Sequence, residues 1–238
     1  MIWKTIAAVL SLLVPASVAL ADSVPLIKFD PTITRNFVEP ANNKTWGYSF
    51  YATTPVTVTH LAWYDTGGDG LSHSHKVGLW KDTSGITQAN WFSGYFPNGG
   101  SLLASVTVPA GTTAELSGPW RRVPITPVTL GVGGYSVGGQ NNSQSTDEMV
   151  YKLFGSFGVS YPTYLDDRVL GGSFTFNIGG ADGFYAPGTT SGDGWYLAAG
   201  AELGATLFLE SVPEPNSLML FAIAAAVFGG SRRRPRHS

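Results

Sequence analysis

Between Asp22 and Ser211 no stretch keeps the apolar period of about 3.6 residues that an amphipathic helix needs. Short apolar runs recur instead, separated by breakers rich in glycine and proline. A chain patterned this way buries its apolar side chains only by stacking sheets. The runs fall at residues 45–52, 56–64, 76–80, 102–108, 120–125, 134–138, 149–153, 173–178, 195–198 and 205–210. Among the breakers are Thr66-Gly67-Gly68-Asp69-Gly70, Pro97-Asn98-Gly99-Gly100, Pro109-Ala110-Gly111 and Gly179-Gly180. About ten short strands on this spacing predict an all-β fold, a single β-sandwich or jelly-roll-like domain. In 56–64 the alternation runs Val56, Val58, then changes phase to Leu61 and Trp63. A β-bulge near His60 accounts for the change. Residues 139–170 are less regular and are expected to hold long loops.

Composition narrows the class further. Charged residues are 13% of the chain and glycine supplies 30 of its 238 positions; the first is about half the usual share and the second nearly twice it. Polar surface must therefore come from Ser, Thr, Asn and Gly. Residues 22–211 carry 9 Lys and Arg against 15 Asp and Glu, a net charge of −6. That balance argues against nucleic acid as a partner. There is no cysteine, which excludes thiol catalysis, thiolate metal sites and disulfide stapling.

Both ends read as addresses. Residues 1–21 have Lys4, an apolar run at 6–14 and Ala19-Leu20-Ala21 as a small-x-small cleavage site, the pattern of a secretory signal peptide. Residues 212–238 have Val212-Pro213-Glu214-Pro215, an uncharged apolar run at 217–230, and a basic cluster of Arg232, Arg233, Arg234 and Arg236. As a helix the apolar run would be about 21 Å long at roughly 1.5 Å per residue. That is short against a bilayer core of about 30 Å, so it suits a transient anchor. Moving each arginine through the bilayer centre costs on the order of 2.5–3.5 kcal/mol. The basic end is thus expected to stay cytoplasmic, with Pro213-Glu214-Pro215 at the outer face, held extended by its prolines. An ordinary C-terminal anchor with a proline-containing spacer is the alternative.

The order of motif, apolar helix and arginine cluster resembles the PEP-CTERM signal of bacterial exopolysaccharide producers. The resemblance implies an exosortase-like membrane enzyme that recognises Pro213-Glu214-Pro215, removes the tail and releases or attaches the protein outside the cell. It covers only the tail. A second resemblance spans residues 45–139. Asp69-Gly70-Leu71, His75-x-Val77-Gly78-Leu79-Trp80, the string from Gly100 to Gly111, Trp120-Arg121-Arg122-Val123 and Pro127-Val128-Thr129-Leu130 look like a domain family of unassigned function. That family often precedes PEP-CTERM tails and occurs beside sugar-processing modules. It implies a β-sandwich and no particular reaction. The chain departs from the pattern at 86–99, an aromatic insertion.

Four constellations invite chemistry. His73-Ser74-His75 places two imidazoles two residues apart, on one face if extended, with His60 as a third metal ligand; the alternative is a satisfied His75 opening a strand and an exposed His73. Asp65 and Asp69, in one glycine-rich loop, offer hard oxygens of the kind that suit a structural calcium ion, although the spacing is not that of an EF-hand. A plain hairpin loop is the alternative. Glu115, Glu148, Asp166, Asp167 and Glu202 are available for glycoside hydrolysis, but nothing in their context nominates a pair, and Gly155-Ser156-Phe157-Gly158 is not a nucleophile elbow. Trp91, Phe92 and Tyr95, with Phe96, Gln88, Asn90 and Asn98, have the composition of a glycan platform, with aromatics for ring faces and amides for hydroxyls; the alternative is an aromatic cap over the sandwich. Trp195 and Tyr196 read as core. The expectation is an exported, non-catalytic surface or matrix protein that contacts exopolysaccharide and needs no cofactor. A carbohydrate-active enzyme and a calcium-stabilised adhesion module are the alternatives.

Overall fold

A computed structural model describes residues 22–28, 35–37, 45–83, 85, 87–89, 100–141, 145–147, 149–153, 163–164, 166–176, 184 and 200–211. Residues Ser23–Ser211 fall in one compact unit. Its strands in chain order are β1 Ser23–Pro25, β2 Ile27–Lys28, β3 Arg35–Phe37, β4 Thr45–Ala52, β5 Val56–Tyr64, β6 His75–Asp82, β7 Gly100–Val108 and β8 Glu115–Ser117. They continue with β9 Trp120–Leu130, β10 Gly133–Gln140, β11 Met149–Leu153, β12 Thr163–Tyr164, β13 Val169–Phe176, β14 Gly200–Leu203 and β15 Ala205–Glu210.

Two five-stranded antiparallel sheets make the sandwich. One has the order β1-β15-β5-β9-β8 and the other β13-β4-β10-β6-β7. Smaller sheets, β14-β11-β3 and β12-β2, accompany them. The alternation read from the sequence is the cause. Val56, Val58, Leu61 and Trp63 of β5 and Leu207 and Leu209 of β15 are buried in one cluster with Tyr48 and Phe50 of β4, Val77 and Leu79 of β6 and Val137 of β10. Tyr48 reaches across the core, its hydroxyl 2.9 Å from Thr206 Oγ1, so the one polar group it buries is satisfied.

The bulge is where the phase change placed it. Pairing of β5 with both neighbours slips between Val58 and His60. On β9 the slip falls between Pro124 and Val128, and the strand runs on to Leu130. The extension past residue 125 corrects the shorter sequence-based bounds. Pro124 and Pro127 are tolerated because β8 pairs only with residues 120–122, so the rest of β9 has a free edge where no N–H is required. The 173–178 run is also displaced, to Val169–Phe176. The 195–198 run, with Trp195 and Tyr196, lies outside the described residues.

Trp63 sits in a slot made by glycines. A Cβ added at Gly139 would lie 2.3 Å from its Cζ3, and one at Gly204 would lie 2.4 Å from its Cζ2. Close approach of backbone to indole is the physical reason for glycine at both positions.

Candidate functional site

The loop between β5 and β6 is built around two acidic anchors. Asp65 follows β5 directly. Its carboxylate accepts from Arg121 Nε at 2.7 Å and from the Gly70 N–H at 3.2 Å. Arg121 donates onward to Gly68 O at 2.7 Å and Ala114 O at 3.1 Å, so one guanidinium ties the loop to β9 and to the segment before β8. Both side chains are buried. The tight path back to Asp65 uses φ of +80° at Gly67, +73° at Gly68 and +111° at Gly70, values open to glycine.

The second anchor joins the far end of the same loop to residues 145–147. His75 opens β6, fully buried, with its ring stacked on Trp63 at 3.9 Å between centroids and 3° between planes. Its Nε2 lies 2.7 Å from Asp147 Oδ2 and its Nδ1 3.2 Å from Gln140 O. Asp147 also accepts from the Ser72 N–H at 2.6 Å, the His73 N–H at 3.2 Å and Ser145 Oγ at 3.0 Å. Burial pushes the Asp147 carboxyl up, but the bonds from His75 and the Ser72 and His73 amides outweigh it and hold it at about 2.

Between the anchors lies an open cleft of about 330 Å³ lined by Tyr64, Thr66, Asp69, Ser72, Thr146 and Asp147, among others. Its walls are polar and its carboxylates unequal. Asp65 and Asp147 are held by hydrogen bonds on the protein side, whereas Asp69 is exposed. Asp65 Oδ2 is taken by Arg121, and its Oδ1 lies 3.3 Å from the Gly70 N–H. Among the described residues no three His, Asp or Glu are placed to hold a metal.

The structure separates the three histidines that the sequence grouped. His75 is in the core, and His73 is partly buried with Nδ1 3.1 Å from Ser72 Oγ. His60 sits at the bulge, its Nδ1 2.9 Å from Thr59 Oγ1.

 Burial lowers the His60 pKa, and the nearby Arg122 charge lowers it further. Of the carboxylates weighed for hydrolysis, Glu115 is paired with Arg122 and Asp166 with Arg168. Glu148 and the Glu202 side chain lie outside the described residues, as do Trp91, Phe92 and Tyr95. Sequence reasoning missed Arg121 and Asp147 as anchors. Asp147 is 72 positions from His75, and no local pattern links them.

Residues 211–234 match the PEP-CTERM protein-sorting motif. The chain carries a PEP-CTERM sorting signal. Val212, Pro213, Glu214, Pro215 and the arginines up to Arg234 fall within the match, and all of them lie outside the described residues. The signal implies export through an exosortase-type system, with transient membrane anchoring before delivery to the cell surface. It implies processing by an exosortase, a membrane enzyme. The apolar run at 217–230 is likewise outside the described residues, among which no helix is long and apolar enough to cross a membrane. No curated protein and no solved structure matches the chain.

Proposed function

We propose that this PEP-CTERM protein is a non-catalytic component of the cell surface or extracellular matrix, in contact with exopolysaccharide. The observation that carries the proposal is the sorting motif at 211–234, which addresses the domain to the outside of the cell. Two features support a binding role. The cleft offers hydroxyls and an exposed carboxylate at Ser72, Thr146 and Asp69, groups that pair with sugar hydroxyls. Its better-buried carboxylates, Asp65 and Asp147, serve to hold the loop in place. The aromatic insertion carrying Trp91, Phe92 and Tyr95 supplies ring faces for the same ligand class.

The test is co-sedimentation of the exported protein with the producer's own exopolysaccharide, with Trp91→Ala and Asp69→Asn beside it. Binding that weakens at least threefold in either variant supports glycan contact and locates it. No binding by the unaltered protein removes the exopolysaccharide from the proposal. Release of reducing ends during the incubation would overturn the non-catalytic assignment.

A further inference from the structure

We propose that β7 is a self-association edge, pairing antiparallel with β7 of a second copy of this chain. β7 is the outer strand of its sheet, and among the described strands it pairs only with β6. It is 9 residues long and contains no charge and no proline. An edge of this kind presents a row of unpaired N–H and C=O groups, which proteins usually blunt with charge, proline or brevity. The edges of the other sheet follow that rule: β1 and β8 have 3 residues each, and the free part of β9 holds Pro124 and Pro127. β13, at the opposite edge of β7's own sheet, is also uncharged but carries Gly171 and Gly172 and a register shift between Gly171 and Phe174. β7 has only the register slip at Leu103.

Two of its exposed side chains are large and apolar. Leu102 is 50% exposed and Leu103 38%. Beside them runs a groove of about 420 Å³ between β7 and β9, lined by Leu103, Ala104, Val106, Pro124, Ile125 and Val128 among others. Residues 123–130 on its far wall are uncharged too.

The absence of charge selects the occupant. A charged partner strand finds no counter-charge here, whereas an identical uncharged strand meets no like-charge repulsion. A two-fold axis at Ala104 sets Leu102 opposite Val106, Ser101 opposite Thr107 and Leu103 opposite Ser105, with no charge in any pair. Area limits the strength. At about 3.4 Å per residue the edge is roughly 30 Å long, and a contact roughly 15 Å wide covers on the order of 450 Å² per copy. A standard stable interface needs about 800 Å² per partner. The pairing is therefore weak and forms where copies are concentrated.

The absence of cysteine makes the test clean. Residues facing each other across antiparallel strands have Cα atoms about 4.5–5.5 Å apart, within the span of a disulfide. Ala104→Cys in the full chain, oxidised mildly on the surface of producing cells, is expected to give disulfide dimers at least tenfold faster than Val132→Cys, at an exposed position elsewhere. Adding Leu103→Lys is expected to bring the rate down to that control. Equal rates at the two positions, or dimers that survive Leu103→Lys, would overturn the proposal, as would cross-links that form only to a different protein. If Ala104→Cys lowers surface yield, co-expressed Ser101→Cys and Thr107→Cys copies, which the same axis sets opposite each other at exposed positions, repeat the test.

Discussion

Replacing Asp147 with Asn tests whether the His75 anchor holds the loop by charge. The folded carboxyl sits at about 2 against an ordinary 3.8. A folded pKa below the unfolded one means stabilisation that is complete above about pH 5, declines as pH falls through 3.8, and is gone below about 2. At about 1.4 kcal/mol per pH unit of separation the ceiling is roughly 2.5 kcal/mol. Screening at the cleft rim brings it to between about 1 and 2 kcal/mol. Asn adds a part that does not depend on pH, because its amide NH₂ must face a donor among Ser72 N–H, His73 N–H and His75 Nε2. For a domain of this size each kcal/mol moves Tm by about 2–4 °C. Thermal melts of the exported protein and the variant are expected to differ by roughly 3–8 °C or more at pH 7, with the gap narrowing by several degrees at pH 3. Asp166, held low by Arg168 against the opposing effect of burial, titrates equally in both proteins and cancels in the difference. A gap that stays constant from pH 7 to pH 3 would refute the charge argument, and no gap at all would refute the anchor.

Three further outcomes follow from the packing. Gly139→Ala is expected to cost about 1–3 kcal/mol through overpacking against Trp63, read as a lower urea midpoint, while Gly131→Ala, which meets nothing within 4 Å, leaves the midpoint unchanged. Arg121→Met strands the buried Asp65 carboxylate and is expected to cost about 3–5 kcal/mol, and Arg121→Lys recovers little of it because one ammonium cannot span Asp65, Gly68 and Ala114; a Lys variant as stable as the parent would contradict this. Calcium is expected to leave the melting curve within 1 °C on the order of experimental error, and a larger rise that is lost in Asp69→Asn would place the ion in the cleft.

What the sequence made legible was what depends on neighbours in the chain. Residues 45–52, 56–64 and 205–210 are strands with the bounds their alternation implied, and the phase change at His60 is a bulge because side-chain direction there has only two options. β9 runs past the 120–125 bounds to Leu130 and tolerates Pro124 and Pro127, since a proline's missing N–H matters only where an edge is paired, and pairing is a property of the fold. β8, with 3 residues, is too short to show an alternation. The site was less legible. Asp65 stood out for its oxygens, but its partner Arg121 is 56 positions away, and a loop's need for a buried counter-charge leaves no local trace.

The lack of cysteine and the ion pairs belong together. A secreted domain often fixes its long loops with disulfides. This chain fixes the β5–β6 loop at both ends with buried acid–base pairs, Asp65 with Arg121 and Asp147 with His75. Removing one partner of such a pair is costly, because the other is left charged without compensation. Both residues border the cleft while their carboxylates accept bonds from the surrounding protein. Each accepts two or more hydrogen bonds from the protein, which fixes its position in the loop. That division, with Asp65 and Asp147 for structure and Asp69, Ser72 and Thr146 facing outward, is the arrangement expected of a rigid binding surface and supports the non-catalytic proposal.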